Sequence, residues 1–81
     1  MNIKVNLFAA LKDAAGAAEI SLPWRQGMTC RDILLELKSS LAPAAFLVER
    51  SFVAVNGNYA EPEKYAMPED EIAVLPPVSG G

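Results

Sequence analysis

The sequence ends in Pro76-Pro77-Val78-Ser79-Gly80-Gly81, and the group there that could do chemistry is the carboxylate of Gly81. At neutral pH it is ionised, with a reference pKa of about 3.5, and is a poor electrophile. It becomes reactive only when one oxygen is joined to a leaving group, as in a mixed anhydride with AMP. A second protein would have to take the terminus into a pocket beside ATP. Glycine has no Cβ and accepts any φ/ψ, so Gly80-Gly81 can pass a channel that other residues would block. Pro76 and Pro77 have no N–H, which ends sheet pairing at Leu75. Both favour polyproline II, which carries the tail away from the globule and lowers the entropy lost on insertion. Two terminal glycines alone occur by chance in roughly one chain in 200. Their weight comes from standing directly behind Pro-Pro-Val and a strand.

Few other residues offer chemistry. The 81-residue chain contains no histidine, which removes Ser-His and Cys-His nucleophiles and histidine metal sites. Neither G-x-x-x-x-G-K-[ST] nor G-x-G-x-x-G occurs. Cys30 is the single cysteine and reads as a small packing residue at a helix start; a lowered-pKa thiol is the alternative. Asp13, Glu61, Glu63, Glu69, Asp70 and Glu71 read as solvated charge, with neither catalytic-pair nor calcium-loop spacing. Catalysis is therefore expected to reside in partners.

Composition bounds the rest. Length allows one small domain over residues 1–81, with 75–81 as an extended tail. With 52% hydrophobic and 21% charged residues, the chain can fold. The net charge of −3 and the lack of a Lys/Arg cluster argue against nucleic acid. No apolar run approaches the roughly 20 residues that cross a bilayer, so no membrane role is expected. "MNIKVNLF" lacks signal-peptide features, and a cytoplasmic location follows as the expectation. One cysteine permits no internal disulfide framework.

The elements that must position the tail are legible. Ile3, Val5 and Leu7 alternate with Asn2, Lys4 and Asn6, a half-buried strand, and Phe8 falls on its outward side. "AALKDAAG" predicts a short helical turn ended by Gly16. "AEISL", with Ala18, Ile20 and Leu22 inward, predicts a second strand closed by Pro23, so that the chain opens as a hairpin. "TCRDILLELKSSL" predicts the main helix: Thr29 caps it, Asp32 completes a capping box, and Ile33, Leu34, Leu37 and Leu41 form its apolar stripe. "APAAFLVER" is either a short helix or a loop laying Phe46 and Val48 on the core. "SFVAVNGNYAEP" predicts a strand, a turn at Asn56-Gly57-Asn58 and a short return strand. Tyr65 and Met67 are expected to plug the end of the core, and Trp24 to lid its edge. "EIAVL" is the last strand, with Ile72 and Val74 inward and Ala73 and Leu75 outward.

One long helix can cover one face of a mixed sheet of about five strands, with the first and last strands parallel at its centre. This predicts an α+β, β-grasp fold of ubiquitin-like order. Phe8 and Leu75 would then meet on the uncovered face, with Phe52 and Ala54 beside them. An exposed apolar group at the tail exit reads as a docking patch, continued by Pro76, Pro77, Val78 and Ser79.

The stretches "LFAALKDAAG", "VAVNG" and "PEDEIAVLPPVSGG" resemble the MoaD/ThiS sulfur-carrier family, on its MoaD branch, over essentially the whole chain. The last stretch is the most specific. The resemblance implies that an E1-like adenylyltransferase uses ATP to adenylate Gly81. A sulfur donor, such as a cysteine desulfurase or rhodanese-like protein, then converts it to a thiocarboxylate, with Gly80 as its slim neighbour. It implies no bound cofactor and insertion of the loaded tail into a molybdopterin synthase large subunit, within a heterotetramer. There, sulfur passes to cyclic pyranopterin monophosphate. A carrier for thiamine thiazole synthesis, a protein modifier joined through Gly81 to lysine, and a passive β-grasp binding module are the alternatives.

Overall fold

The computed structural model describes residues 1–77. The chain runs β1 (Asn2–Leu7), α1 (Ala9–Ala15), β2 (Glu19–Pro23), α2 (Cys30–Ser40), a 3-10 turn (Ala42–Ala44), α3 (Ala45–Glu49), β3 (Phe52–Val55), β4 (Asn58–Tyr59) and β5 (Ile72–Leu75). The strands form one sheet in the order β2-β1-β5-β3-β4. β1 lies antiparallel to β2 and parallel to β5, while β3 is antiparallel to both β5 and β4. This is the mixed five-stranded β-grasp sheet expected from the order of elements.

Alternation in β1 buries Ile3, Val5 and Leu7, and alternation in β5 buries Ile72 and Val74. They meet Leu11, Ile33, Leu37 and Val48 from the helices in one core cluster. At about 25 cal/mol per Å² of apolar surface removed from water, these side chains are the main source of stability. The β1–β2 connection holds α1, ended by Gly16 in the left-handed region at φ 70°, where a side chain would be strained. Ala18 is exposed in the turn before β2, not inward; the ladder begins only at Glu19.

The start of α2 shows why the chain between β4 and β5 lies where it does. The first N–H groups of a helix have no partner within it. Here Cys30 N donates to Lys64 O and Arg31 N to Pro62 O, each at 2.9 Å. Asp32 N donates to Thr29 Oγ1 at 3.3 Å, and Thr29 N donates to Asp32 Oδ2 at 3.0 Å, the capping box in full. Ala66 N also donates to Met28 O, at 2.9 Å, which presses Ala66 into the core.

That register corrects one expectation. Ala66 is the buried plug, and its neighbours Tyr65 and Met67 are exposed, because alternate residues of an extended segment point to opposite sides. Trp24 is the half-buried lid, its Nε1 donating to Ala66 O at 2.7 Å. Phe46 likewise does not reach the core: residues 45–49 are helical, Val48 is buried and Phe46 faces out.

Candidate functional site

On the face of the sheet away from the helices, strand register sets out two rows of side chains. One row is Asn6, Ala73, Ala54 and Tyr59, paired in turn across β1, β5, β3 and β4. The other is Phe8, Leu75 and Phe52: Leu75 pairs with Phe52, and Phe8 stands one residue beyond the paired Leu7 and Val74. Phe8 is 47%, Phe52 57% and Tyr59 79% exposed, while Leu75, Pro76 and Pro77 are half-buried. The rings of Phe52 and Tyr59 meet edge to face at 6.1 Å, an arrangement that suits aromatic quadrupoles. Between the rows lies a hollow of about 270 Å³ lined by Phe8, Ala54, Gly57, Tyr59, Ala73 and Leu75.

Local geometry fixes this face. Phe8 remains extended at φ −129°, ψ 153°, continuing the alternation of β1. Ala9 then turns the chain into α1 at φ +51°, a conformation that costs a residue with a Cβ about 1–2 kcal/mol. At the other end, Asn56 and Gly57 both have positive φ, 52° and 86°, as a two-residue type I′ hairpin requires. Asn56 Nδ2 donates to Asp70 Oδ1 at 3.1 Å, and Asn56 Oδ1 accepts from Glu71 N at 2.9 Å. Asp70 Oδ2 also accepts from Met67 N at 2.9 Å. Asp70 is thus a structural acid pinning the entry to β5, a correction to its reading as solvated charge.

The structure brings Phe8, Phe52 and Leu75 together at the end of β5, where Pro76 and Pro77 follow. Val78, Ser79, Gly80 and Gly81 lie outside the described residues. Tyr59 was missing from the sequence-derived patch. Its signal was present: a two-residue Asn-Gly loop places residue 59 opposite residue 54, on the outward face. Cys30 is buried in the core. Burial pushes its thiol above the ordinary value, opposed by the nearby Lys64 charge, so it is protonated at neutral pH and suited to packing. Among the described residues, no group of three or more His, Cys, Asp or Glu side chains could hold a metal ion. No described helix is long and apolar enough to cross a membrane.

Comparison with known proteins agrees with this arrangement. The molybdopterin synthase sulfur carrier subunit of Chlamydomonas reinhardtii is 31% identical over 83 residues, covering 100% of both chains. That of Arabidopsis thaliana is 30% identical over 81 residues, covering 100% of this chain and 84% of the relative. Among solved structures, SAMP1 from Haloferax volcanii, a small archaeal modifier protein, superposes with a TM-score of 0.80 at 26% identity, with 100% of each chain covered. The model of the ThiS family matches residues 5–81, taking in β5 and everything after it, and the chain belongs to that family.

Proposed function

We propose that this chain is the sulfur carrier subunit of a molybdopterin synthase, with Gly81 as the residue that carries the sulfur. One observation carries the reading: β5 hands the chain to Pro76-Pro77 at the edge of an uncovered apolar face built by Phe8, Phe52 and Leu75. A protein accepting the tail meets that face first. Whole-length identity to two carrier subunits supports the molybdopterin branch.

The mechanism follows from carboxylate chemistry. A Gly81 carboxylate oxygen attacks the α-phosphate of ATP on an E1-like adenylyltransferase, releasing pyrophosphate and leaving an acyl adenylate. The terminal sulfur of a persulfide on a cysteine desulfurase or rhodanese-like donor attacks the carbonyl carbon and expels AMP, giving an acyl disulfide. A thiol then cleaves the sulfur–sulfur bond, is itself oxidised to a disulfide with the donor's cysteine, and leaves Gly81 as a thiocarboxylate. Docking of the apolar face on the large subunit delivers that sulfur to cyclic pyranopterin monophosphate. Tethering makes the delivery effectively intramolecular. Gly80 keeps the stalk narrow, Val78 and Ser79 line the insertion path, and the groups that catalyse transfer belong to the large subunit of a heterotetramer. The carrier itself holds no cofactor and works in the cytoplasm.

Intact-mass spectrometry after incubation with ATP, the activating enzyme and a sulfur donor tests this. The expected result is replacement of one oxygen by sulfur, lost on deletion of Gly81. An unchanged mass refutes the proposal. The likeness to a small archaeal modifier protein supports a second reading, attachment of Gly81 to lysine. It would show as Gly81-dependent conjugates of higher mass in cell extracts.

A further inference from the structure

The uncovered face has a socket in it. Ala54 and Ala73 are directly paired across β3 and β5, and their side chains end at Cβ. Phe8, Leu75 and Tyr59 stand around them and leave the hollow of about 270 Å³. Among the described residues no charged side chain lines it, so an ionised group entering would lose its water with no partner there in return. An aliphatic or aromatic side chain loses nothing there and gains contact on several sides.

Chain length restricts the occupant. Residues 78–81 carry the chain from Pro77 to Gly81, and four residues span at most about 14 Å. Whatever receives Gly81 must therefore press against the surface next to Leu75, which includes the hollow. A lasting subunit contact gains most from an apolar anchor at its centre. We infer that Ala54 and Ala73 are specificity-determining residues, the floor of a socket that receives one aliphatic or aromatic side chain of the synthase large subunit. The inference rests on the carrier function proposed above and adds where the subunit is gripped and by what chemistry.

The test fills the socket from below. Ala73→Leu and, as a second variant, Ala54→Leu are titrated against the purified large subunit by calorimetry, with Leu75→Glu as the control for docking of the face as a whole. Thermal melts select variants that keep the wild-type transition, and Ala73→Ser keeps the floor low. Losing a hot-spot contact weakens binding about 30-fold. That loss is expected for both leucine variants, with Ala73→Ser close to wild type. If Leu75→Glu weakens binding while both leucine variants bind normally, the face docks flat and the socket is overturned, while the carrier reading stands. If all three bind normally, the face is not the docking surface and the socket is overturned with it, while the carrier reading is decided separately by the intact mass of the loaded chain. If the leucine variants bind the large subunit normally but slow adenylation, the activating enzyme is the occupant and the assignment to the large subunit is overturned.

Discussion

Phe52 on β3 and Leu75 on β5 stand opposite each other in the antiparallel ladder, which places an aromatic side chain beside the last strand residue before Pro76. The pair ties docking to tail position. A partner that covers Phe52 also covers the point at which the tail leaves the sheet. Leu75→Glu puts a charge into that contact while leaving the core face of β5, Ile72 and Val74, untouched. It is expected to weaken large-subunit binding by at least about 10-fold, or 1.4 kcal/mol. The cost to the fold should stay below about 1 kcal/mol, as for most surface changes. Calorimetry and a urea titration give the two numbers separately, and equal affinity would count against the patch.

The capping box predicts a pH dependence. The Thr29 backbone N–H, followed by the Thr29 hydroxyl and the charges of Arg25 and Arg31, holds the Asp32 carboxyl below its ordinary value. A carboxylate whose pKa is lowered on folding binds its proton more weakly in the native state. Its contribution is therefore complete above the unfolded value, about 3.9, and disappears as pH falls through the folded value. Asp32→Ala and Thr29→Ala should each cost about 1 kcal/mol at pH 7. The gap between Asp32→Ala and wild type should narrow once the pH drops below about 3.9. A gap that stays constant into acid would show that the cap does not depend on the charge.

At the β3–β4 turn, a Cβ added to Gly57 would meet nothing within 4 Å, yet its φ is +86°. Gly57→Ala is thus expected to cost about 1–2 kcal/mol from backbone strain alone. Asn56→Ala removes both side-chain bonds to Asp70 and Glu71 and should cost a similar amount, at about 1 kcal/mol per hydrogen bond. Hydrogen exchange should report the loss at the Glu71 amide first. Full protection there in Asn56→Ala would contradict the assignment.

Cys30 is expected to stay out of the sulfur chemistry. Its thiol is buried and held protonated, so alkylation of the native protein should be slower by orders of magnitude than alkylation in denaturant. Cys30→Ala should still gain sulfur at Gly81, as read by intact mass. Failure of that variant to load while folded would assign the thiol a role in transfer.

Much of the site could be read along the chain because it follows strict periods. Alternation in residues 2–7 and 71–75 put Phe8 and Leu75 outward, and Thr29 with Asp32 announced the main helix. Asn56-Gly57 announced the hairpin. Tyr65, Met67 and Asp70 were misjudged because their places depend on pairing with α2 and with Asn56, which are distant in sequence.

The sequence by itself determined the order of elements, the parity of each strand and the stop to sheet pairing at Pro76-Pro77, since all are set by neighbouring residues and covalent geometry. The tertiary structure alone decided that Ala54, Ala73 and Tyr59 align into the wall and floor of one hollow. The Asn56-Gly57 loop sets Tyr59 opposite Ala54 locally, but the register of β5 against β3 joins strands distant in sequence and is set by long-range packing.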